Sequence, residues 1–281
     1  MKDLIRRFRY AAPAILAFLL SFPPALGAVP ITFSVGGDQT TASIQGTVDA
    51  FRVALGDPNN ANNPGPLTSG RREINWDGGG VAITISPTPF AGFQNIRGAL
   101  FDTPGTGFIQ APLGGFGSEF NNTYPSTFSF FSPARLFSPI ASNITDVTFF
   151  IPGTNGGVPA TVSGFGAVFT DVDLLGSSHL DFFDIDGNSL GSFNVPTGTT
   201  ADASLSFLGI AFDAGERVAR VRITSGNTAL GPNDSPPGVD VVIMDDFLFA
   251  EPRIIPEAST LILLGFGLVI VGMVLCRAQK L

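Results

Sequence analysis

Glycine and proline recur so often in this chain that long helices are excluded from most of it. The 281 residues include 34 Gly and 22 Pro, which interrupt nearly every window that would otherwise show a helical period. Between these breaks lie eleven short runs, spread over residues 31–249, that are rich in β-branched residues and phenylalanine. Such runs are typical of antiparallel strands. We therefore predict an all-β fold, an antiparallel jelly-roll-like β-sandwich.

One segment before residue 60 shows a helical pattern. Val48, Phe51 and Leu55 share a face at helical spacing. Thr47 is suited to cap the first turn, and Gly56 is suited to end the helix. We predict one short helix there, followed by an exposed loop.

The charge of the chain excludes one class of partner. Lysine occurs only as Lys2 and Lys280, and residues 29–256 contain nine arginines against 21 acidic residues, a net charge of −12. An acidic body without lysine repels phosphate backbones, so we expect no nucleic-acid partner. The lone cysteine, Cys276, lies near the C-terminus, so the body forms no disulfide.

Residues 1–28 have the three parts of a secretory signal peptide. A basic segment precedes a short apolar stretch over residues 11–20, and small residues follow it. Cleavage is expected after Gly27 or Ala28. About ten apolar residues are too few to cross a bilayer, which disfavours an uncleaved anchor.

Residues 253–281 have the sequence of a membrane tail. A continuous apolar run leads into Arg277 and Lys280. As a helix, residues 259–276 would span about 27 Å, enough for a thin bilayer. Basic residues after the helix favour a cytoplasmic end, so the body would lie outside the cytoplasm, in agreement with the signal peptide.

The motif Pro256-Glu257-Ala258 directly precedes this helix. Together with the short helix and the brief basic end, it resembles the PEP-CTERM sorting signal, with Ala258 in place of the second proline. The resemblance implies recognition by an exosortase, a membrane cysteine protease of Gram-negative bacteria that make extracellular polysaccharide, and cleavage near Pro256. In the body, residues 71–78, 105–108, 164–171 and 219–246 together resemble an ectodomain that recurs among PEP-CTERM proteins. A plain single-pass anchor is the alternative.

Few residues of the chain suit catalysis. His179 is the only histidine and no G-x-S-x-G elbow is present, which argues against a Ser-His-Asp hydrolase. One histidine without a body cysteine cannot form the usual zinc site. Paired carboxylates remain the acid–base option, with these acids as candidates: Glu73, Asp77, Glu119, Asp171, Asp173 and Glu216.

Asp245 and Asp246 interrupt the apolar run that closes the body. A carboxylate inside a strand is costly if it is buried without a partner. It needs an arginine, backbone donors or a hard cation. The strand resembles the closing strand of jelly-roll carbohydrate-binding modules, which implies a structural Ca²⁺ at Asp245 or Asp246. Pairing with an arginine of a neighbouring strand is the rival, from this set: Arg217, Arg220 and Arg222.

The only tryptophan, Trp76, is the last residue of a predicted strand. Its indole could stack on a sugar, or it could pack in the core. Only two tyrosines accompany it in the chain, which is few for a sugar-binding surface.

These observations predict three parts: a signal peptide over residues 1–28, a β-sandwich ectodomain over 29–252, and a sorting tail over 253–281. We predict a non-enzymatic protein that is exported, held in the inner membrane and then moved to the cell surface or the extracellular matrix. Its expected partners are an exosortase-type protease and extracellular polysaccharide. The alternatives are a calcium-stabilised carbohydrate-binding module and a polysaccharide-degrading enzyme.

Overall fold

The computed structural model describes residues 30–213, 217–234 and 237–255. The predicted signal peptide, the sorting motif and the predicted transmembrane helix lie outside these residues. The strands in the described part are β1 Ile31–Gly36, β2 Arg71–Ile74, β3 Thr84–Ser86, β4 Ala99–Asp102, β5 Gly107–Ala111, β6 Leu136–Ile140, β7 Ile144–Phe149, β8 Ala160–Thr161, β9 Gly164–Thr170, β10 His179–Phe183, β11 Ser189–Asn194, β12 Leu205–Ala211, β13 Arg220–Thr224, β14 Ile243–Ala250 and β15 Arg253–Ile254.

Helices are few and mostly short. They are α1 Thr41–Leu55, α2 Leu113–Glu119 and α3 Tyr124–Thr127, with one 3₁₀ turn at Asp77–Gly79. Within the described residues, none of these helices has the length and apolar character needed to cross a membrane.

Two antiparallel sheets make up the body. The larger has eight strands in the order β1-β12-β9-β14-β6-β5-β3, and β2 also pairs with β14. The smaller has the order β11-β10-β13-β7-β4, and β8 pairs with β15 in a separate ribbon. The sheets pack face to face: Phe149 of the smaller sheet has its ring 5.4 Å from Phe249 and 6.3 Å from Phe165 of the larger one. The predicted antiparallel β-sandwich is thus confirmed as two antiparallel sheets that pack together.

The two sheets differ in what covers them. Strands β9, β12 and β14 are buried at every position, because the smaller sheet covers one face of the larger sheet and α1 covers part of the other. In contrast, β7 and β10 alternate between buried and half-buried residues, as expected of a sheet with one face toward solvent.

Helix α1 packs onto a pair of glycines. Gly166 of β9 and Gly209 of β12 are cross-strand partners. A Cβ at Gly166 would lie 2.7 Å from the Phe51 ring, and one at Gly209 would lie 2.8 Å from it. Only glycine therefore leaves room for Phe51 to lie this close to the sheet.

Each of the eleven predicted strands overlaps an observed one, but four further strands were missed, namely β5, β6 and the two-residue strands β8 and β15. Pro139 obscured β6 because proline is rare inside a sheet. The structure tolerates Pro139 because β6 pairs with β14 only at Phe137. The predicted helix ends at Leu55 as expected, but it begins at Thr41 rather than after Thr47.

We predict that Gly166→Ala lowers the free energy of unfolding by about 1–3 kcal/mol, because the added methyl group would overpack the contact with Phe51. Gly46→Ala is the matched control. Gly46 lies in α1, where an added Cβ would face open space with no other part of the chain within 4 Å, so alanine should stabilise the helix by up to about 1 kcal/mol. Urea unfolding of the full chain measures both. Equal unfolding midpoints for Gly166→Ala and the wild type would contradict the packing of Phe51 on this glycine pair.

Candidate functional site

The central strand β14 changes partner at Asp245 and Asp246. It pairs with β6 at Met244 and with β2 from Phe247 onward. Its register with β9 shifts between Met244 and Phe247, which identifies a β-bulge. The two aspartates therefore lie in an irregular part of the strand, where side chains leave the normal alternation.

Backbone donors hold Asp245. Its side chain is fully buried, and Oδ2 accepts the N–H groups of Phe131 at 2.7 Å and Ser132 at 3.0 Å. Among the described residues, Oδ1 has no hydrogen-bond partner. Asp246 accepts the Ser132 hydroxyl at 2.7 Å, and its other oxygen lies 3.8 Å from Arg52 Nη2.

The arginines proposed as rivals to calcium lie elsewhere. Arg220 and Arg222 both bind Asp146, at 2.7 Å each. Arg217 donates to the Thr161 hydroxyl. Arg52 is the arginine that approaches the acidic pair, and it comes from α1. The sequence pattern gave no sign that α1 lies near β14.

Both carboxyls of the acidic pair hold a proton to a higher pH than an ordinary aspartate does. Burial, reinforced by the neighbouring carboxylate, raises the pKa of Asp245 well above its ordinary value. Burial also raises the pKa of Asp246 to about 6, although Ser132 and Arg52 oppose this. Within the described residues, no third acidic, histidine or cysteine side chain joins the pair in a metal-binding group. Backbone donors and a retained proton are thus an alternative to the Ca²⁺ predicted there.

Trp76 lies in the core. Its side chain is 1% exposed, and its Nε1 donates to the Asp245 carbonyl oxygen at 2.8 Å. The indole stacks on Phe137 with ring centroids 3.8 Å apart, and Phe101 and Phe247 meet it edge-on. Neither face of this indole is open to a sugar ring. The structure therefore has Trp76 packed in the core and not on a sugar-binding surface.

The bulge and the aromatic core depend on each other. The Trp76 indole connects the Asp245 backbone to phenylalanine rings from both sheets. Arg135 in turn donates to the Trp76 carbonyl oxygen at 2.9 Å. A polar network thus lies against the most aromatic part of the core, and each of its carboxylates needs donors because a buried charge without them is costly.

The sorting motif Pro256, Glu257 and Ala258 lies outside the described residues. The described chain reaches Ile255, and β15 ties residues 253–254 to β8.

A second acidic cluster lies at one end of the larger sheet. Asp171 and Asp173 follow β9, and Asp234 lies in the loop between β13 and β14. One carboxylate oxygen from each lies within 4.8 Å of the other two. Burial and neighbouring carboxylates raise the pKa of Asp171 to about 9 and that of Asp173 to about 6. The sequence analysis named Asp171 and Asp173 only as acid–base candidates and missed Asp234.

No protein-family model matches this chain, and no curated protein matches it either. Function is therefore inferred from its own residues.

We predict that Asp245→Asn makes the free energy of unfolding fall less steeply as the pH rises. Because the folded-state pKa of Asp245 lies above its value in the unfolded chain, the wild type loses stability as pH rises above about 4, by up to about 1.4 kcal/mol per pH unit. The amide cannot ionise, and it keeps an oxygen for Phe131 and Ser132. The variant should therefore gain stability over the wild type between pH 5 and pH 8, measured by urea unfolding.

Asp184→Asn is the control for this comparison. Hydrogen bonds from Asn188 and nearby backbone lower the pKa of Asp184, so it titrates below this window. Its pH dependence between pH 5 and pH 8 should match that of the wild type. The same pH dependence in Asp245→Asn and the wild type would rule out proton retention at Asp245.

Proposed function

We propose that this protein is exported, held in the inner membrane by its C-terminal helix, and sorted by an exosortase-type protease to the cell surface or the extracellular polysaccharide matrix. The observation that carries this proposal is the Pro256-Glu257-Ala258 motif followed by an apolar segment and a basic end, in a chain whose first 28 residues have the pattern of a signal peptide. The proposed role is interaction with matrix components rather than catalysis.

The way in which the body ends supports this proposal. Arg72 and Glu251 form a buried bidentate ion pair, with both N···O distances 2.8 Å. Arg253 then donates to the Thr68 carbonyl oxygen at 2.6 Å. The body is thus held together up to a few residues before the motif, and cleavage near Pro256 would leave these contacts intact.

The outer face of the smaller sheet is suited to an aqueous surrounding. Asp146 bridges Arg220 and Arg222, and Arg220 also lies over the Phe183 ring at 3.8 Å. The single carboxylate thus offsets part of the charge of the two arginines within the sheet. The remaining acidic excess of the body favours cations or basic groups as partners.

A calcium-stabilised carbohydrate-binding module of jelly-roll type is the second candidate. Two antiparallel sheets packed face to face are compatible with it. Its sugar site would have to lie away from Trp76, whose indole is buried. A polysaccharide-degrading enzyme would require turnover that disappears on mutation of one carboxylate.

We predict that the protein recovered from its native host begins near residue 28 and ends near Pro256, and that it leaves the membrane fraction. Glu257→Ala should block this processing, so that most of the protein keeps residues 261–281 in the membrane. Ala258→Pro, which restores the Pro-Glu-Pro motif, is the matched control and should be processed at least as well as the wild type. Intact mass measurement of the membrane and medium fractions reports each outcome.

Retention of residues 261–281 by the wild type and by Ala258→Pro would make the tail a plain single-pass anchor and overturn the sorting proposal.

A further inference from the structure

We propose that Asp171, Asp173 and Asp234 bind a calcium ion. These residues come from two loops at the same end of the larger sheet, and their oxygens converge within 4.8 Å. This site is distinct from the Asp245–Asp246 pair, and it does not depend on export or sorting.

Asp171 is the strongest evidence for a ligand. Its side chain is fully buried, and within the described residues neither carboxylate oxygen accepts a hydrogen bond, so that a proton shared with Asp234 is the one alternative to a cation. Nor does an arginine form an ion pair with any of the three aspartates in this part of the chain. A buried carboxylate without partners is costly. A cation would neutralise its charge and would also offset the repulsion from the carboxylates of Asp173 and Asp234.

The donor set and its spacing suit calcium. Carboxylate oxygens are hard ligands, and calcium binds such oxygens at about 2.3–2.6 Å, so oxygens on opposite sides of the ion are about 5 Å apart. Magnesium binds at about 2.0–2.1 Å and requires a tighter octahedral shell. Asp173 is exposed while Asp171 is buried, so the cluster has a closed base and a side open to water.

Surrounding hydrogen bonds position the ligands. Asp240 is fully buried and accepts the N–H groups of Asp173 at 3.3 Å and Leu174 at 3.2 Å. It also accepts the Ser177 hydroxyl. Asp234 accepts the Val241 N–H with one oxygen. These hydrogen bonds thus hold the turn after β9 and the segment before β14 around the three carboxylates.

Binding would connect the end of β9 to the loop before β14. The two segments meet only in the folded chain, so an ion that ligates both stabilises the folded state over the unfolded one. We expect a dissociation constant on the order of 10⁻⁴ M, in the range of extracellular calcium modules.

The test is calorimetric titration of the full chain with Ca²⁺ after treatment with EDTA, together with melting temperatures. We expect saturable heat for one ion. At about ten times the dissociation constant, the melting temperature should rise by about 3–6 °C. Mg²⁺ at the same concentration should give a smaller rise.

Three variants locate the ion. Asp171→Asn should abolish the heat and the calcium-dependent shift, while its metal-free melting temperature stays at or above that of the wild type because a buried like charge is removed. Asp173→Asn should weaken binding about tenfold or more. Asp245→Asn is the matched control, since it makes the same change at a fully buried aspartate outside the cluster, and it should keep the wild-type response.

Absence of saturable heat and of a melting shift up to about 10 mM Ca²⁺, well above the affinity range of such modules, would overturn the proposal. Loss of the response in Asp245→Asn but not in Asp171→Asn would move the ion to the bulge and overturn it equally. An equal response to Mg²⁺ would overturn the assignment to calcium. None of these outcomes bears on the fractionation experiment, which tests sorting independently.

Discussion

The hydrogen bonds from the segment at residues 131–135 to the carboxylates of Asp245 and Asp77 are the contacts on which the centre of the larger sheet depends. Asp245 accepts two backbone N–H groups from this segment, and Asp77 accepts two more, from Ala134 at 2.6 Å and Arg135 at 2.9 Å. The segment leads directly into β6. Because β6 pairs with β14 at a single position, these carboxylates, rather than a continuous ladder, keep β6 beside the central strand.

The two acidic clusters differ in how their charge is compensated. Asp245 and Asp246 have backbone, hydroxyl and arginine neighbours, whereas both oxygens of Asp171 lack any donor among the described residues. The body has no lysine, so compensation has to come from backbone groups, arginine, protons or cations. The cluster at Asp171 therefore has more need of a cation than the pair in the closing strand.

The chain itself determined the class of its fold. Short apolar runs between glycine and proline breaks predicted antiparallel strands, and the period of Val48, Phe51 and Leu55 predicted the buried face of α1. These are local properties, since backbone conformation and side-chain alternation follow from neighbouring residues. The membrane and sorting signals are also local, and they remain predictions that the described residues do not reach.

Only the tertiary structure decided which polar residues meet. Asp234 joins Asp171 and Asp173 across a long stretch of sequence, Arg52 reaches Asp246 from a helix, and Trp76 is enclosed rather than exposed. Periodicity reports whether a side chain faces inward, but it carries no information on which distant segment lies opposite. That information arises when the two sheets pack and bring the ends of non-consecutive strands together.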